Sequence, residues 1–176
     1  VARATASDLH SLSKEQAAVA QWLARRYRVA TEPVAALVSE AWSIGRRAGL
    51  EPTLILAIIA IESSFNPFAQ SPVGAQGLMQ VMTQVHDDKY GPFGGTHAAF
   101  DPITNLRVGV QVLKECIARA GSVAEGLRYY VGAAALARHS DSPDHYTRTW
   151  LTPAHQAAAG QLGEWMREAG MEVRVD

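Results

Sequence analysis

Cysteine is almost absent from this sequence, since Cys116 is the only one among 176 residues. A single thiol excludes an intramolecular disulfide framework and a cysteine-type zinc site. The six histidines are scattered, and no two of them lie four residues apart, which is the spacing of a ligand pair on one helix face. We therefore expect no metal and no other cofactor. Cys116 itself lies at helical spacing from Val112, which predicts a small core residue.

An excess of charge of either sign is also missing. The sequence has 16 basic and 17 acidic residues, for a formal net charge of -1. Nucleic acid is therefore not expected as a partner, because phosphate binding requires a basic excess. The apolar run at residues 54–61 is too short to cross a bilayer, which takes about 20 residues. The sequence shows no basic-then-apolar start, so no signal peptide is predicted from it.

Helix signals, by contrast, are abundant, and no segment reads as a convincing strand. The first ten residues read as a loose end. We predict an all-α fold with further short helices at residues 77–81, from Ser142 and from Pro153, and an irregular loop at residues 86–100. The main helices are predicted from Ser13 (a capping box with Gln16), from Thr31 to Gly49, from Glu51 to near Phe65, from Asp101 to Gly121, and from the capping box at Ser122 and Glu125.

One stretch, residues 54–82, places a single carboxylate against an apolar helix face. Glu62 ends the apolar run, with Ile58 and Leu54 on its own face, and no other acid occurs before Asp87. An apolar setting and the negative end of the helix dipole both predict a raised pKa for Glu62. A carboxyl that stays protonated near neutrality is typical of a general acid. The alternative is that Glu62 emerges into solvent at the helix end and has no chemical role.

The same stretch resembles the lytic transglycosylase domain, a goose-lysozyme-like family that cleaves bacterial peptidoglycan. The shared pattern is Glu-Ser, a short loop, Ser, and then Gly-Ala-x-Gly-Leu-Met-Gln, here Glu62-Ser63, Ser71 and residues 74–80. Asn105 and Gly109 resemble the family's Asn-x-x-x-Gly helix, and residues 128–132 resemble its Ala-Tyr-Asn-Ala-Gly segment. The resemblance covers roughly residues 52–150. It implies a compact helical lysozyme-like domain at residues 51–176, with residues 1–50 as a helical extension packed on it.

The resemblance also implies a mechanism that uses one carboxyl. Glu62 would protonate the oxygen between N-acetylmuramic acid and N-acetylglucosamine, and would then accept a proton from the muramyl 6-hydroxyl, so that a 1,6-anhydro sugar forms. The family's substrate contacts carry over to Ser71, Gln80, Met82, Tyr129 and Tyr146. Leu78 is expected to be core, Gly74 and Gly77 to serve backbone geometry, and Asn105 to hold loop backbone through its side chain.

Three positions depart from the family pattern: Tyr130 replaces an Asn, Ser142-Pro143 replaces Glu-Thr, and Thr83 replaces a Pro. Two alternatives stay open on the sequence. A muramidase that uses water would need a second acid, for which Asp87, Asp88 and Asp101 are the nearby candidates. A non-catalytic wall-binding module would fit the departures. The expected partner is the peptidoglycan glycan strand, with an unknown envelope-machine partner possible. The protein is expected to be a monomer in the periplasm or cell envelope.

Overall fold

The computed structural model of this protein describes residues 12–72 and 74–134. Within these ranges the chain forms six α-helices and one two-stranded sheet, and two 3₁₀ segments at Gly91–Phe93 and Thr96–Phe100 precede the long fifth helix. The helices predicted at Ser142 and Pro153 lie outside the described residues. The elements are α1 (Lys14–Tyr27), α2 (Thr31–Ala48), α3 (Pro52–Ser63), β1 (Ala75–Gln76), β2 (Val81–Met82), α4 (Asp87–Tyr90), α5 (Pro102–Ala120) and α6 (Val123–Ala134).

The helix boundaries follow the capping residues in the sequence. Ser13 and Gln16 form the predicted reciprocal capping box at the start of α1. The Asp101 carboxylate accepts a hydrogen bond from the Thr104 amide at the start of α5. Gly49 and Gly121 end α2 and α5 in the left-handed conformation that glycine adopts without steric cost. The main predicted helices in the described ranges are thus confirmed.

Two local predictions between α3 and α5 were wrong. Residues 77–81 do not form a helix. Residues 77–80 form the turn of a small hairpin and Val81 begins its second strand, so that Ala75 pairs with Met82 and Gln76 pairs with Val81. Residues 86–100 are not an irregular loop, because α4 and the two 3₁₀ segments occupy most of them. Strands of two residues show no alternating pattern that a sequence could reveal, and the glycines that mark this region are equally common in loops.

Helix α3 lies at the centre of the hydrophobic core. It is apolar on nearly every face, as expected for a helix that neighbours surround, and six of its residues are buried hydrophobics: Leu54, Ile55, Leu56, Ile58, Ile59 and Ala60. Helices α2 and α6 both contact it, and α5 packs on α2 and α6. Packing against α2 and α6 therefore fixes the position of α3, including its C-terminal turn.

Helices α1 and α2 belong to the same core. Val34, Leu37 and Val38 of α2 are buried in one cluster with the α3 residues, and Leu23 of α1 joins them. On the surface, the Glu40 carboxylate pairs with the Arg107 guanidinium of α5 at 2.8 Å. No helix in the described part of the chain is long and apolar enough to cross a membrane.

Candidate active site

Glu62 lies in the last turn of α3 and is buried. The residue is only 2% exposed, and both carboxyl oxygens are shielded from solvent. Ile58 and Ile59 are buried in the preceding turn. The alternative in which Glu62 emerges into solvent is therefore excluded. The apolar setting on which the raised-pKa prediction depended is present, while the pKa of Glu62 itself stays a prediction.

The backbone reverses immediately after Glu62 through two left-handed residues. Ser64 has φ 51° and Phe65 has φ 63°, a region that non-glycine residues rarely occupy. The Phe65 side chain is buried, and its ring lies 5.0 Å from the Tyr27 ring of α1. Such backbone strain costs on the order of 1–3 kcal/mol per residue and persists where packing enforces it. Phe65 thus anchors the chain reversal that follows the carboxylate.

Gly77 begins the turn between the two strands, in a space that only glycine fits. Its φ is +78°, and a Cβ added there would collide with the Ala99 carbonyl and with the Asn105 side-chain amide. Its own N–H donates to the Ala69 carbonyl at 2.9 Å. Gly77 is therefore held between the loop that follows α3 and the segment that precedes α5. The prediction that this glycine serves backbone geometry is confirmed.

Met79, in the middle of the turn, is hydrogen-bonded through both its backbone N–H and its backbone carbonyl. Its N–H donates to Asn105 Oδ1 at 2.7 Å, and its carbonyl accepts from the Tyr130 hydroxyl at 2.9 Å. Its side chain packs where Gly109 leaves space, since a Cβ at Gly109 would meet Met79 Cβ at 2.7 Å. The Asn105 amide also donates to the Gln76 carbonyl at 2.9 Å. The prediction that Asn105 holds loop backbone is confirmed.

Tyr130 connects this turn to Glu62 electrostatically. Tyr130 is 7% exposed. Burial raises the pKa of its phenol well above the usual value, and the negative charge of Glu62 raises it further. Burial likewise raises the pKa of Tyr90, whose hydroxyl accepts a hydrogen bond from Asn105 at 3.1 Å. Two neutral phenols therefore line the buried side of the turn, and one of them lies within electrostatic reach of the carboxyl.

The predicted substrate residues nearest the turn also have structural contacts. Ser71 Oγ accepts from the Ala75 N–H at 3.0 Å, which leaves its hydroxyl hydrogen available to donate. Gln80 is buried in a left-handed conformation, with φ 47°, and its Nε2 donates to the carbonyls of Ala69 and Gly77. Met82 is half-buried in β2. The structure thus brings Ser71, Gln80 and Met82 together around one hairpin.

The two predicted tyrosines fall elsewhere. Tyr129 is 57% exposed on α6, whereas its neighbour Tyr130 faces inward. Tyr146 lies outside the described residues. The hydrogen bond of Tyr130 to Met79 was not anticipated, because the family pattern has Asn at this position. Leu127 and Tyr130 lie three residues apart and therefore share one face of a helix. This apolar spacing would have identified Tyr130 as the inward-facing tyrosine.

The three candidate second acids have contacts of their own. Asp101 caps α5, Asp87 Oδ1 accepts from the Asp88 N–H, and the Asp88 carboxylate pairs with Lys89 at 3.4 Å. Lys89 also pairs with Glu115 of α5 at 3.2 Å. Within residues 12–72 and 74–134, no group of three or more His, Cys, Asp or Glu side chains could hold a metal ion.

A surface cavity of about 480 Å³ opens at the other end of α3. Its lining includes Pro52 and Leu54 of α3 and Val123 of α6. Glu62 is ten residues from Pro52, which corresponds to about 15 Å along a helix. The cavity is therefore separate from the carboxylate, and the candidate active site is assigned from the buried acid and the hairpin instead.

Comparison with known proteins identifies the family of this chain. The family described as "Transglycosylase SLT domain" matches residues 42–169. A protein named "Membrane-bound lytic murein transglycosylase C" from Mannheimia succiniciproducens is 32% identical over 141 residues, which cover 72% of this chain and 39% of that protein. A protein named "Transglycosylase" from Enterobacteria phage PRD1 is 37% identical over 83 residues, which cover 47% of this chain and 29% of that protein.

The family match spans well over half of the chain, so the chain belongs to the transglycosylase SLT domain family. This chain covers less than two fifths of the length of either relative. The predicted resemblance is therefore confirmed, as is the helical lysozyme-like fold class with little strand.

Proposed function

We propose that this chain is the catalytic domain of a peptidoglycan lytic transglycosylase. Family membership supports the proposal, and so does the name lytic murein transglycosylase that one relative carries. The observation that carries it is Glu62, a carboxyl buried at the end of the core helix and within electrostatic reach of Tyr130, which binds the motif residue Met79.

In the first step, Glu62 acts as a general acid. A carboxyl in an apolar site is held neutral, so it has a proton to give near neutral pH. Glu62 donates this proton to the glycosidic oxygen between N-acetylmuramic acid and N-acetylglucosamine. The bond between that oxygen and the muramyl anomeric carbon breaks, and the N-acetylglucosamine end leaves as an alcohol.

In the second step, the same group acts as a base. The Glu62 carboxylate is destabilised in its apolar site, which favours recovery of a proton. It takes that proton from the muramyl 6-hydroxyl, whose oxygen attacks the anomeric carbon. The product is a 1,6-anhydromuramic end, no water is consumed, and Glu62 returns to its neutral state.

The substrate contacts in this proposal are Ser71, Gln80, Met82, Tyr129 and Tyr146. Ser71 would donate its hydroxyl hydrogen to the sugar, while Gln80 and Met82 would line the groove beside the hairpin. The contacts of Asp87, Asp88 and Asp101 support a mechanism without a second acid, because all three carboxylates already have partners within their own turns.

The substrate also sets the expected location. Peptidoglycan lies outside the inner membrane, so we propose that the domain acts in the periplasm or cell envelope. We further propose that it acts as a monomer, with residues 1–50 packed on residues 51–176 as part of one unit.

The test is digestion of purified sacculi followed by mass analysis of the muropeptides. The proposal predicts fragments that end in 1,6-anhydromuramic acid. Fragments with reducing ends would show that water is the acceptor and would replace this mechanism with a muramidase one. A protein that binds sacculi and releases no fragments would favour a wall-binding module.

A further inference from the structure

Phe68 is a large aromatic side chain left open to solvent beside the candidate active site. It is 71% exposed, although most aromatic surface in a folded domain is covered. The Phe100 ring lies next to it, with 6.4 Å between ring centroids and a 32° angle between ring planes. One ring thus supports the other and leaves most of the Phe68 side chain uncovered.

The backbone around Phe68 is fixed, so its exposure is not that of a loose loop tip. The Phe68 N–H donates to Asn66 Oδ1 at 3.0 Å, and the next residue, Ala69, donates to the Asn66 carbonyl at 3.2 Å. The Ala69 carbonyl accepts from both the Gly77 N–H and Gln80 Nε2. A loop backbone that is ordered before binding does not have to be ordered by the ligand, which lowers the entropic cost of binding.

The neighbours of both aromatic residues contact Gly77, the glycine that begins the hairpin turn. Gly77 contacts Ala69, the residue after Phe68, and lies against Ala99, the residue before Phe100. Two successive turns connect the end of α3 to Phe68. In the first the Asn66 N–H donates to the Ser63 carbonyl, and in the second the Ala69 N–H donates to the Asn66 carbonyl. Each turn spans less than about 7 Å. The backbone that carries Phe68 therefore lies between the Glu62 end of α3 and the hairpin, and the next residue, Ala69, is hydrogen-bonded to the hairpin.

The segment that carries Phe68 favours an uncharged ligand. No Asp, Glu, Lys or Arg occurs between Glu62 and Asp87, so the loop and hairpin offer no partner for a charged group. A pyranose ring is neutral and presents an apolar face of C–H groups, which complements the negative face of an aromatic ring. A peptide stem with ionised groups would lose hydration here without gaining an ion pair.

We propose that Phe68, supported by Phe100, is a sugar-stacking site that binds a pyranose ring of the glycan strand next to the scissile bond. This inference rests on the proposed function for its substrate class. Phe68 is a specificity-determining contact, and the chemistry at Glu62 does not depend on it. Its loss should raise KM for glycan strands and leave kcat nearly unchanged.

The test is equilibrium binding to glycan strands from which the stem peptides have been removed. Binding is measured in a Glu62→Gln background, where turnover is expected to be at least about a hundredfold slower, and mass analysis of the strands after the measurement verifies that they are intact. We expect Phe68→Ala to raise Kd about tenfold, on the order of one lost aromatic stacking contact. Phe68→Tyr, which keeps the ring face, should bind as Phe68 does. Val85→Ala is the matched control, because Val85 is another exposed apolar residue in this region and should leave Kd unchanged.

Three results would overturn the stacking site, provided that urea titration shows the variants to be folded. One is an unchanged Kd for Phe68→Ala, and a second is no binding to stripped strands at all. The third is a loss confined to strands that still carry stems, which would assign Phe68 to the peptide. If sacculus digests lack anhydro ends while binding still depends on Phe68, the proposed chemistry fails and the stacking site stands.

Discussion

The Met79 N–H donates to Asn105 Oδ1 at 2.7 Å, and this bond joins the turn of the hairpin to helix α5 across 26 residues of sequence. Gly109 lies one turn further along α5, where it leaves space for the Met79 side chain. Residues four apart share a helix face. Because Asn105 and Gly109 lie four residues apart, they share one face of α5, where Asn105 binds the backbone of Met79 and Gly109 accommodates its side chain.

Asn105→Ala is expected to lower the free energy of unfolding by about 2–5 kcal/mol. The change removes the partner of the buried Met79 N–H and of the part-buried Gln76 carbonyl, and a buried polar group left unsatisfied costs about 1–3 kcal/mol. Urea denaturation measures the effect. Gln111→Ala, an exposed site on the same helix, is the control and should change stability little. Equal stability of the two variants would show that Asn105 does not hold the turn.

Gly109→Ala is expected to lower the free energy of unfolding by about 1–3 kcal/mol, because the new methyl group overpacks the Met79 side chain. This loss should appear even though alanine favours a helix by about 1 kcal/mol over glycine. Gly91→Ala is the matched control, since Gly91 has negative φ and open space around it. A Gly109→Ala protein as stable as the parent in thermal or urea unfolding would contradict the close contact.

Alkaline pH is expected to destabilise the fold through Tyr90 and Tyr130. Burial raises the pKa of both phenols above the ordinary value of 10.0, so above that pH the unfolded chain releases protons that the folded protein keeps. Stability from these groups is therefore complete below about pH 10 and falls as pH rises further. Urea unfolding at about pH 9 and about pH 11 should show a smaller loss for Tyr130→Phe than for the parent.

Tyr129→Phe serves as the control for that experiment, because Tyr129 is exposed on the same helix. It should lose as much stability between the two pH values as the parent does. If Tyr130→Phe and Tyr129→Phe behave alike, the buried phenol does not contribute to the alkaline transition.

Helix α2 is expected to be essential to the folding unit, although the family match begins only at residue 42, inside that helix. Leu37→Ala should lower the free energy of unfolding by about 2–5 kcal/mol, as the same substitution does at other buried leucines.

A chain that begins at residue 50 should show no cooperative unfolding. Val85→Ala, an exposed apolar truncation, should stay within about 0.5 kcal/mol of the parent. A stable, cooperative chain from residue 50 would show that residues 1–50 are a dispensable extension.

The sequence predicted the helices well, because their ends carry local signals such as the Ser13 and Asp101 caps and the Gly121 stop. It failed at the hairpin. The two strands are stabilised by contacts that are distant in sequence, above all the bonds from Asn105 to Gln76 and Met79. No local pattern reveals such contacts.

The candidate site shows the same division. The place of Glu62 at the end of an apolar helix could be read from spacing, whereas its burial was left open by the sequence and is shown by the structure. The inward orientation of Tyr130 could not be read from the family pattern, which directed attention to Tyr129. The exposed ring of Phe68 also gave no signal, because exposure depends on how the loop packs against Gly77 and Phe100.

The most direct test of the central claim compares Glu62→Gln with Glu51→Gln in the release of anhydromuramic ends from purified sacculi. Both changes remove one carboxylate from the ends of the same helix, but Glu51 is exposed at its start and Glu62 is buried in its last turn. The account predicts that Glu62→Gln lowers the rate by about 10²–10⁴-fold, the usual contribution of a general acid or base, while Glu51→Gln keeps the parent rate. A folded Glu62→Gln protein that released anhydro ends at the parent rate would contradict it.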